Sequence, residues 1–167
     1  MARNVEIKAR VRDRDALVRR ARALATEGPV DISQDDTFFR CANGRLKLRA
    51  FSEDRGELIF YRRADVSGPK KSFYVRSPTS SPSTLREALA LAHGIAGRVR
   101  KQRTLFLCGR TRIHIDRVEG LGDFMELEVV LAEGESADAG MSEAHELMAR
   151  LRIDATELVE GAYVDML

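Results

Sequence analysis

The sequence predicts an α+β fold in which an antiparallel sheet closes into a barrel, with helices packed against its outside. Three observations lead to this expectation. Several segments alternate polar and apolar residues with the period of a β-strand, and their polar positions are almost all charged. Those charges segregate by sign from one segment to the next, and three other segments carry apolar residues at helical spacing.

The first strand covers residues 4–11, where Asn4, Glu6, Lys8 and Arg10 share one side and Val5, Ile7, Ala9 and Val11 the other. Residues 13–25 follow as a helix, with Leu17, Val18, Ala21 and Leu24 on one stripe. Asn43-Gly44, Asp54-Arg55-Gly56 and Ser67-Gly68-Pro69 are hairpin-type turns, each placed just before a strand. The strands they introduce are residues 45–49, residues 57–63 (Leu58 and Phe60 opposing Glu57, Ile59, Tyr61 and Arg63), and the phase Lys70, Ser72, Tyr74, Arg76.

Residues 77–83, SPTSSPS, read as a surface linker between two structured halves. A second helix is expected over residues 84–93, with Leu85, Leu89 and Ala92 aligned. Strand phases return at Lys101/Arg103, at Arg112/His114/Asp116 and at Glu126/Glu128. A last helix, residues 142–151, aligns Ala144, Leu147, Met148 and Leu151.

Composition narrows the function classes. The 167 residues are 44% hydrophobic and 32% charged with a net charge of only +2, so overall charge points to no nucleic-acid partner. Cys41 and Cys108 are too few for a disulfide framework and lack metal-site spacing. The N-terminus has no apolar signal region and no segment approaches the length of a membrane span, so a cytoplasmic location is expected.

The identity of the polar face carries the functional expectation. Like charges at successive same-face positions repel, a cost most readily accepted where a ligand of opposite sign binds between them. Turned inward, Lys8, Lys47, Arg49, Arg63, Lys70, Lys101, Arg103 and Arg112 would bind a triphosphate, with Arg as a forked donor and Lys as a point charge. Glu6, Asp116, Glu126 and Glu128 are the in-phase carboxylates that a hard cation such as Mg²⁺ or Mn²⁺ requires. His114 is expected to be a hydrogen-bonded structural residue. No GxxxxGK[ST] loop and no GxSxG elbow occurs, so phosphate would be held by side chains.

These motifs, in this order, resemble the CYTH family of triphosphate tunnel metalloenzymes, and the likeness runs nearly end to end. Glu6-Ile7-Lys8 resembles the family's ExExK signature, residues 36–39 its aspartate-aromatic segment, and residues 44–49, 57–63 and 99–103 its basic strands. Residues 112–116 continuing through 119–128 are similar to its acidic strand pair, and residues 163–167 to its closing segment. The resemblance implies one CYTH domain over residues 1–167, built as a closed eight-stranded antiparallel barrel. It implies Glu6 and Lys8 as catalytic residues and Mg²⁺ or Mn²⁺ as cofactor.

The substrate it implies is ATP, tripolyphosphate or thiamine triphosphate, turned over by adenylate cyclase or triphosphatase chemistry. A homodimer is also implied, while a nucleic-acid or membrane partner is not. One position departs from the pattern: Asn4 stands where the first Glu of ExExK is expected, and an amide cannot accept a proton at neutral pH. That departure opens a further reading, a non-catalytic triphosphate-binding module.

Overall fold

The computed structural model describes residues 2–64 and 66–167. Eight strands are connected in the order β1 (Ala2–Arg10), β2 (Glu27–Phe39), β3 (Arg45–Ala50), β4 (Gly56–Arg63), β5 (Lys70–Thr79), β6 (Ile95–Cys108), β7 (Thr111–Val118) and β8 (Gly122–Val130). Every neighbouring pair is antiparallel, and the ring β1-β5-β4-β3-β2-β6-β7-β8 closes on itself through β1 and β8. Closure leaves no edge strand and gives each strand an inner and an outer face.

The helices are α1 (Arg14–Leu24), α2 (Pro82–His93) and α3 (Ala137–Leu151). Asp13 caps α1 by accepting from the Ala16 N–H, and Ser136 caps α3 by accepting from the Asp138 N–H, satisfying amides that no helical carbonyl reaches. Both helices cover the outer face of β1, β6, β7 and β8, where Ile7, Phe106, Ile113, Ile115, Met125 and Leu127 pack on Leu17, Ala21, Leu147 and Leu151. α3 approaches β1 so closely that a Cβ at Gly140 would lie 2.7 Å from Leu131 Cδ2 and 2.9 Å from Val5 Cγ2.

The structure departs from two expectations and adds one strand that the sequence did not mark. The expected linker is not a linker: residues 77–79 complete β5 and Pro82 opens α2, so strands from both sides of it share one ring. α2 does not bury its apolar stripe as the other helices do, since Pro82 is its one buried residue and Leu91 is 84% exposed. β2 carries no strand signal in the sequence, although it is among the longest strands. Over residues 31–36 only the inward Ile32 is apolar, so no hydrophobic alternation is visible. Pairing with β6 over most of its length holds it in place.

Candidate functional site

The inner faces of the strands enclose a cavity of about 240 Å³, lined by charged side chains. Register explains how so many charges are tolerated. Each strand rich in one sign lies beside a strand carrying the other: Asp36 of β2 sits opposite Arg49 of β3, and Arg103 of β6 opposite Asp116 of β7. Acidic β8 runs between β7 and β1, with Glu126 opposite His114 and Lys8, and Glu128 opposite Arg112 and Glu6.

Two of these pairs are forked. Arg103 donates from Nε and Nη2 to the two oxygens of Asp116 at 2.8 Å each, and Arg49 donates likewise to Asp36 at 2.8 and 2.7 Å. A guanidinium has five N–H donors, so each arginine is fixed in orientation by its carboxylate and retains donors for another acceptor. Lys47 Nζ approaches Asp36 to 3.3 Å, and Lys101 Nζ lies 3.9 Å from Asp116.

The residues expected at a phosphate site separate into two groups. Lys8, Lys47, Arg49, Arg63, Lys101, Arg103 and Arg112 all line the cavity. Lys70 is buried on β5 outside this lining and its Nζ donates to the Val66 carbonyl at 2.8 Å. Of the expected metal carboxylates, Glu6, Glu126 and Glu128 line the cavity. Asp116 is fully buried behind it, accepting from Arg103 and also from the Tyr163 hydroxyl at 3.0 Å. The carboxylate of Asp116 is thus committed to orienting cations.

His114 also departs from expectation. Its ring is buried and its Nδ1 makes no hydrogen bond among the described residues, so it is not the satisfied structural histidine that the sequence suggested. It lies with Glu126 and Glu128 in a group whose potential ligand atoms are all within 4.8 Å of one another. These residues fit a divalent cation: two carboxylates supply hard oxygen donors and the histidine supplies an unsatisfied nitrogen.

Burial and neighbouring charge set the protonation states. Burial, opposed in part by Glu126, lowers the Lys8 ammonium to about 8. Burial and the adjacent Arg103 and Arg49 lower Lys101 to about 7, against the pull of Asp116. Burial and Arg103 push His114 down to about 4, leaving its imidazole neutral at pH 7. Glu6 moves up, because burial and the Glu128 charge outweigh the Arg63 guanidinium 3.1 Å away. Glu126 moves the other way: burial raises it, but Lys8, Arg103 and Lys101 together hold it well below the usual carboxylate range.

The C-terminal turn at Tyr163–Met166 completes the site. Tyr163 lies beneath Lys8 and Lys101, with their ammonium groups 4.2 and 4.9 Å from its ring centre. The Gly161 carbonyl accepts from Lys8 Nζ at 2.9 Å and from Arg63 Nη2 at 2.8 Å. A Cβ at Gly97 of β6 would collide with the Val164 side chain, so glycine there permits the turn to dock. Sequence reasoning did not assign roles to Tyr163 or Asp36. Their signal was positional only, one in the closing segment and one preceding an aromatic pair, and neither belongs to a charged alternation.

The closed barrel with charged side chains turned inward is the architecture that the sequence motifs implied. The pattern of the CYTH domain family matches residues 2–163. The chain belongs to the CYTH family. A protein of Methanocaldococcus jannaschii named "Putative adenylate cyclase" is 22% identical to this CYTH protein over 97% of each chain. Among solved structures, the PH1012 protein of Pyrococcus horikoshii OT3 superimposes with a TM-score of 0.85 at 19% identity, covering 98% of this chain and 99% of that one. A Hippeastrum protein, described as a "Putative adenylyl cyclase" that reveals a dominant triphosphatase activity, gives a TM-score of 0.66 at 15% identity, over 98% and 93% of the two chains. At these identities the superpositions establish the shared fold. No helix among the described residues is long and apolar enough to cross a membrane.

Lys101 yields a prediction in which stability and binding move in opposite directions. Its ammonium titrates at about 7 when folded and at about 10.5 when unfolded, so between these values the unfolded chain binds more protons. The cost of burying the charge is therefore fully present below pH 7 and is relieved as pH rises. Lys101→Met is expected to raise stability at pH 7 and flatten its rise toward pH 9, which this lysine steepens by up to about 1.4 kcal/mol per pH unit. The same substitution should raise KM for a triphosphate about tenfold or more by removing a charge-assisted contact. Urea titrations across pH and initial-rate kinetics test the two halves. An unchanged KM would argue against a phosphate contact.

Proposed function

We propose that this protein is a metal-dependent cytoplasmic enzyme, acting as a single domain, that binds ATP by its triphosphate and converts it to cAMP and pyrophosphate. The observation that supports this reading is the convergence of Lys47, Arg49, Lys101 and Arg103 on one cavity in which cations outnumber carboxylates. Such an excess of buried positive charge is unfavourable in the empty protein and is offset when a polyanion enters. Similarity over 97% of each chain to a protein named "Putative adenylate cyclase" supports the same reading.

In this reading Arg49 and Arg103, oriented by Asp36 and Asp116, hold phosphoryl oxygens with the N–H groups their carboxylates leave over. Lys47 and Lys101 supply point charges, while Arg63 and Arg112 complete the enclosure from β4 and β7. Glu126 and Glu128 would hold Mg²⁺ or Mn²⁺, which would supply Lewis-acid neutralisation of phosphate charge. Glu6, whose proton affinity burial raises, accepts the proton of the ribose 3′-hydroxyl as its oxygen bonds to the α-phosphorus. The bond from the α-phosphorus to the bridging oxygen breaks, and Lys8 neutralises the departing pyrophosphate.

One observation favours a second reading, hydrolysis of tripolyphosphate, a nucleoside triphosphate or thiamine triphosphate. Asn4 removes a carboxylate at the position where the family places one. Attack by water through a loose transition state depends more on positioning and charge than on a strong base. The two readings differ in product. Purified protein incubated with ATP, tripolyphosphate or thiamine triphosphate, in Mg²⁺ or Mn²⁺, should give cAMP and pyrophosphate in equal amounts from ATP. Orthophosphate without cAMP would replace the cyclase reading with the triphosphatase. Tight nucleotide binding with no product from any substrate would leave a binding module.

A further inference from the structure

Along the inner face of β7, Arg112 and Asp116 are each satisfied by a charged partner, and His114 between them is not. Arg112 donates to Glu128 Oε2 from Nε and Nη2 at 3.1 and 2.9 Å, and Asp116 is taken up by Arg103 and Tyr163. His114 faces Glu126 on β8 and is 5% exposed, yet its Nδ1 is unpartnered among the described residues. The nearest carboxylate oxygen is Glu128 Oε1, 3.6 Å away and too far for a hydrogen bond. A buried polar nitrogen left unsatisfied carries a desolvation cost, and such groups in a native protein point to a role that supplies the missing partner.

Glu128 is divided to suit one. Its Oε2 accepts from Arg112 and, at 3.4 Å, from the Asn4 amide, while Oε1 is the oxygen facing His114. We propose that His114 is a metal ligand, and that with Glu126 and Glu128 it forms a mixed nitrogen–oxygen site that takes Mn²⁺ or another first-row transition ion in preference to Mg²⁺. The potential ligand atoms lie within 4.8 Å of one another. Bonds of about 2.0–2.2 Å hold neighbouring ligand atoms of one ion about 3–3.5 Å apart, so side-chain rotation must draw the widest pair together. Imidazole nitrogen favours first-row transition ions, whereas Mg²⁺ favours an all-oxygen shell, so one nitrogen in three protein ligands shifts the choice of ion. Asn4 acts in the same direction, since a neutral amide replaces a hard anionic oxygen next to Glu128.

This inference rests on reading the tunnel as a metal site, and metal binding without any nucleotide separates the two. Free Mn²⁺ is followed by electron paramagnetic resonance during titration of the purified full chain, and Mg²⁺ by its competition. Wild-type protein should bind Mn²⁺ about tenfold or more tighter than Mg²⁺, and its bound Mn²⁺ should show nitrogen modulation in a pulsed experiment. His114→Ala and the near-isosteric His114→Asn should both weaken Mn²⁺ by about tenfold or more, with a smaller effect on Mg²⁺ and loss of the nitrogen modulation. His114→Asp should restore binding while abolishing the preference.

Bound Mn²⁺ that lacks nitrogen modulation in the wild type would overturn the assignment without recourse to a variant. Mn²⁺ binding that is lost in Glu126→Gln/Glu128→Gln and unchanged in both His114→Ala and His114→Asn would overturn His114 as ligand and leave the carboxylate site standing. Wild-type protein that binds neither ion would overturn the metal reading and this inference with it.

Discussion

Glu126→Gln/Glu128→Gln is expected to lower turnover by a factor on the order of 10³ while the barrel stays folded, because Lewis-acid neutralisation of phosphate charge contributes several kcal/mol to such reactions. Both side chains line the cavity from one strand. Glutamine keeps their volume and an oxygen acceptor, so packing survives while the anionic charge that attracts a divalent ion is lost. The loss extends to structure only locally: Arg112 retains an amide oxygen as acceptor at position 128, and Lys8 retains the Gly161 carbonyl. Circular dichroism with metal titration and kinetics tests this. A double variant that turns over like the wild type would remove the metal assignment altogether.

The second large effect falls on stability. Arg103→Ala is expected to cost about 3–5 kcal/mol of folding free energy, the penalty typical of removing one partner from a buried ion pair. Asp116 is 0% exposed and accepts two 2.8 Å hydrogen bonds from Arg103; without them only the Tyr163 hydroxyl and the Lys101 ammonium 3.9 Å away remain. Adding Asp116→Asn to that variant removes the stranded charge and should recover a substantial part of the loss. Urea unfolding of the wild type, both single variants and the double variant gives the coupling directly. If Arg103→Ala and Arg103→Ala/Asp116→Asn unfold at the same denaturant concentration, the pair is not what holds Asp116 in place.

Much of the site was legible because charge and strand period coincide in this chain. Lys47/Arg49, Lys101/Arg103 and Glu126/Glu128 each occupy successive positions of one strand face, so knowing the period fixes the shared direction of each pair. What period cannot reveal is the neighbouring strand. The sign segregation was read as preparation for a ligand, and the barrel adds a second cause: Asp36 stands against β3 and Asp116 against β6, so part of the charge is compensated within the protein. For the same reason Asp116 and Glu126 looked equivalent in sequence, whereas one is enclosed behind the arginine and tyrosine that bind it and the other faces the cavity.

By itself the sequence determined strands with one charged face and helices with one apolar stripe, because alternation and helical spacing are local properties, while the order of its motifs implied the barrel. It placed most of the cations that line the cavity on one strand face for the same reason. Tertiary structure alone decided that β2 is a strand, since its polar residues are ordered by pairing with β6 and not by hydrophobic pattern. It alone decided that α2 lies largely exposed, that residues 77–83 join rather than separate the two halves, and that the C-terminal turn places Tyr163 beneath two lysines. His114 depended on it most. Whether a strand histidine is a satisfied structural residue or an open nitrogen beside two carboxylates is set by which atoms of β6, β8 and β1 surround it, and register between strands is not written in any one of them.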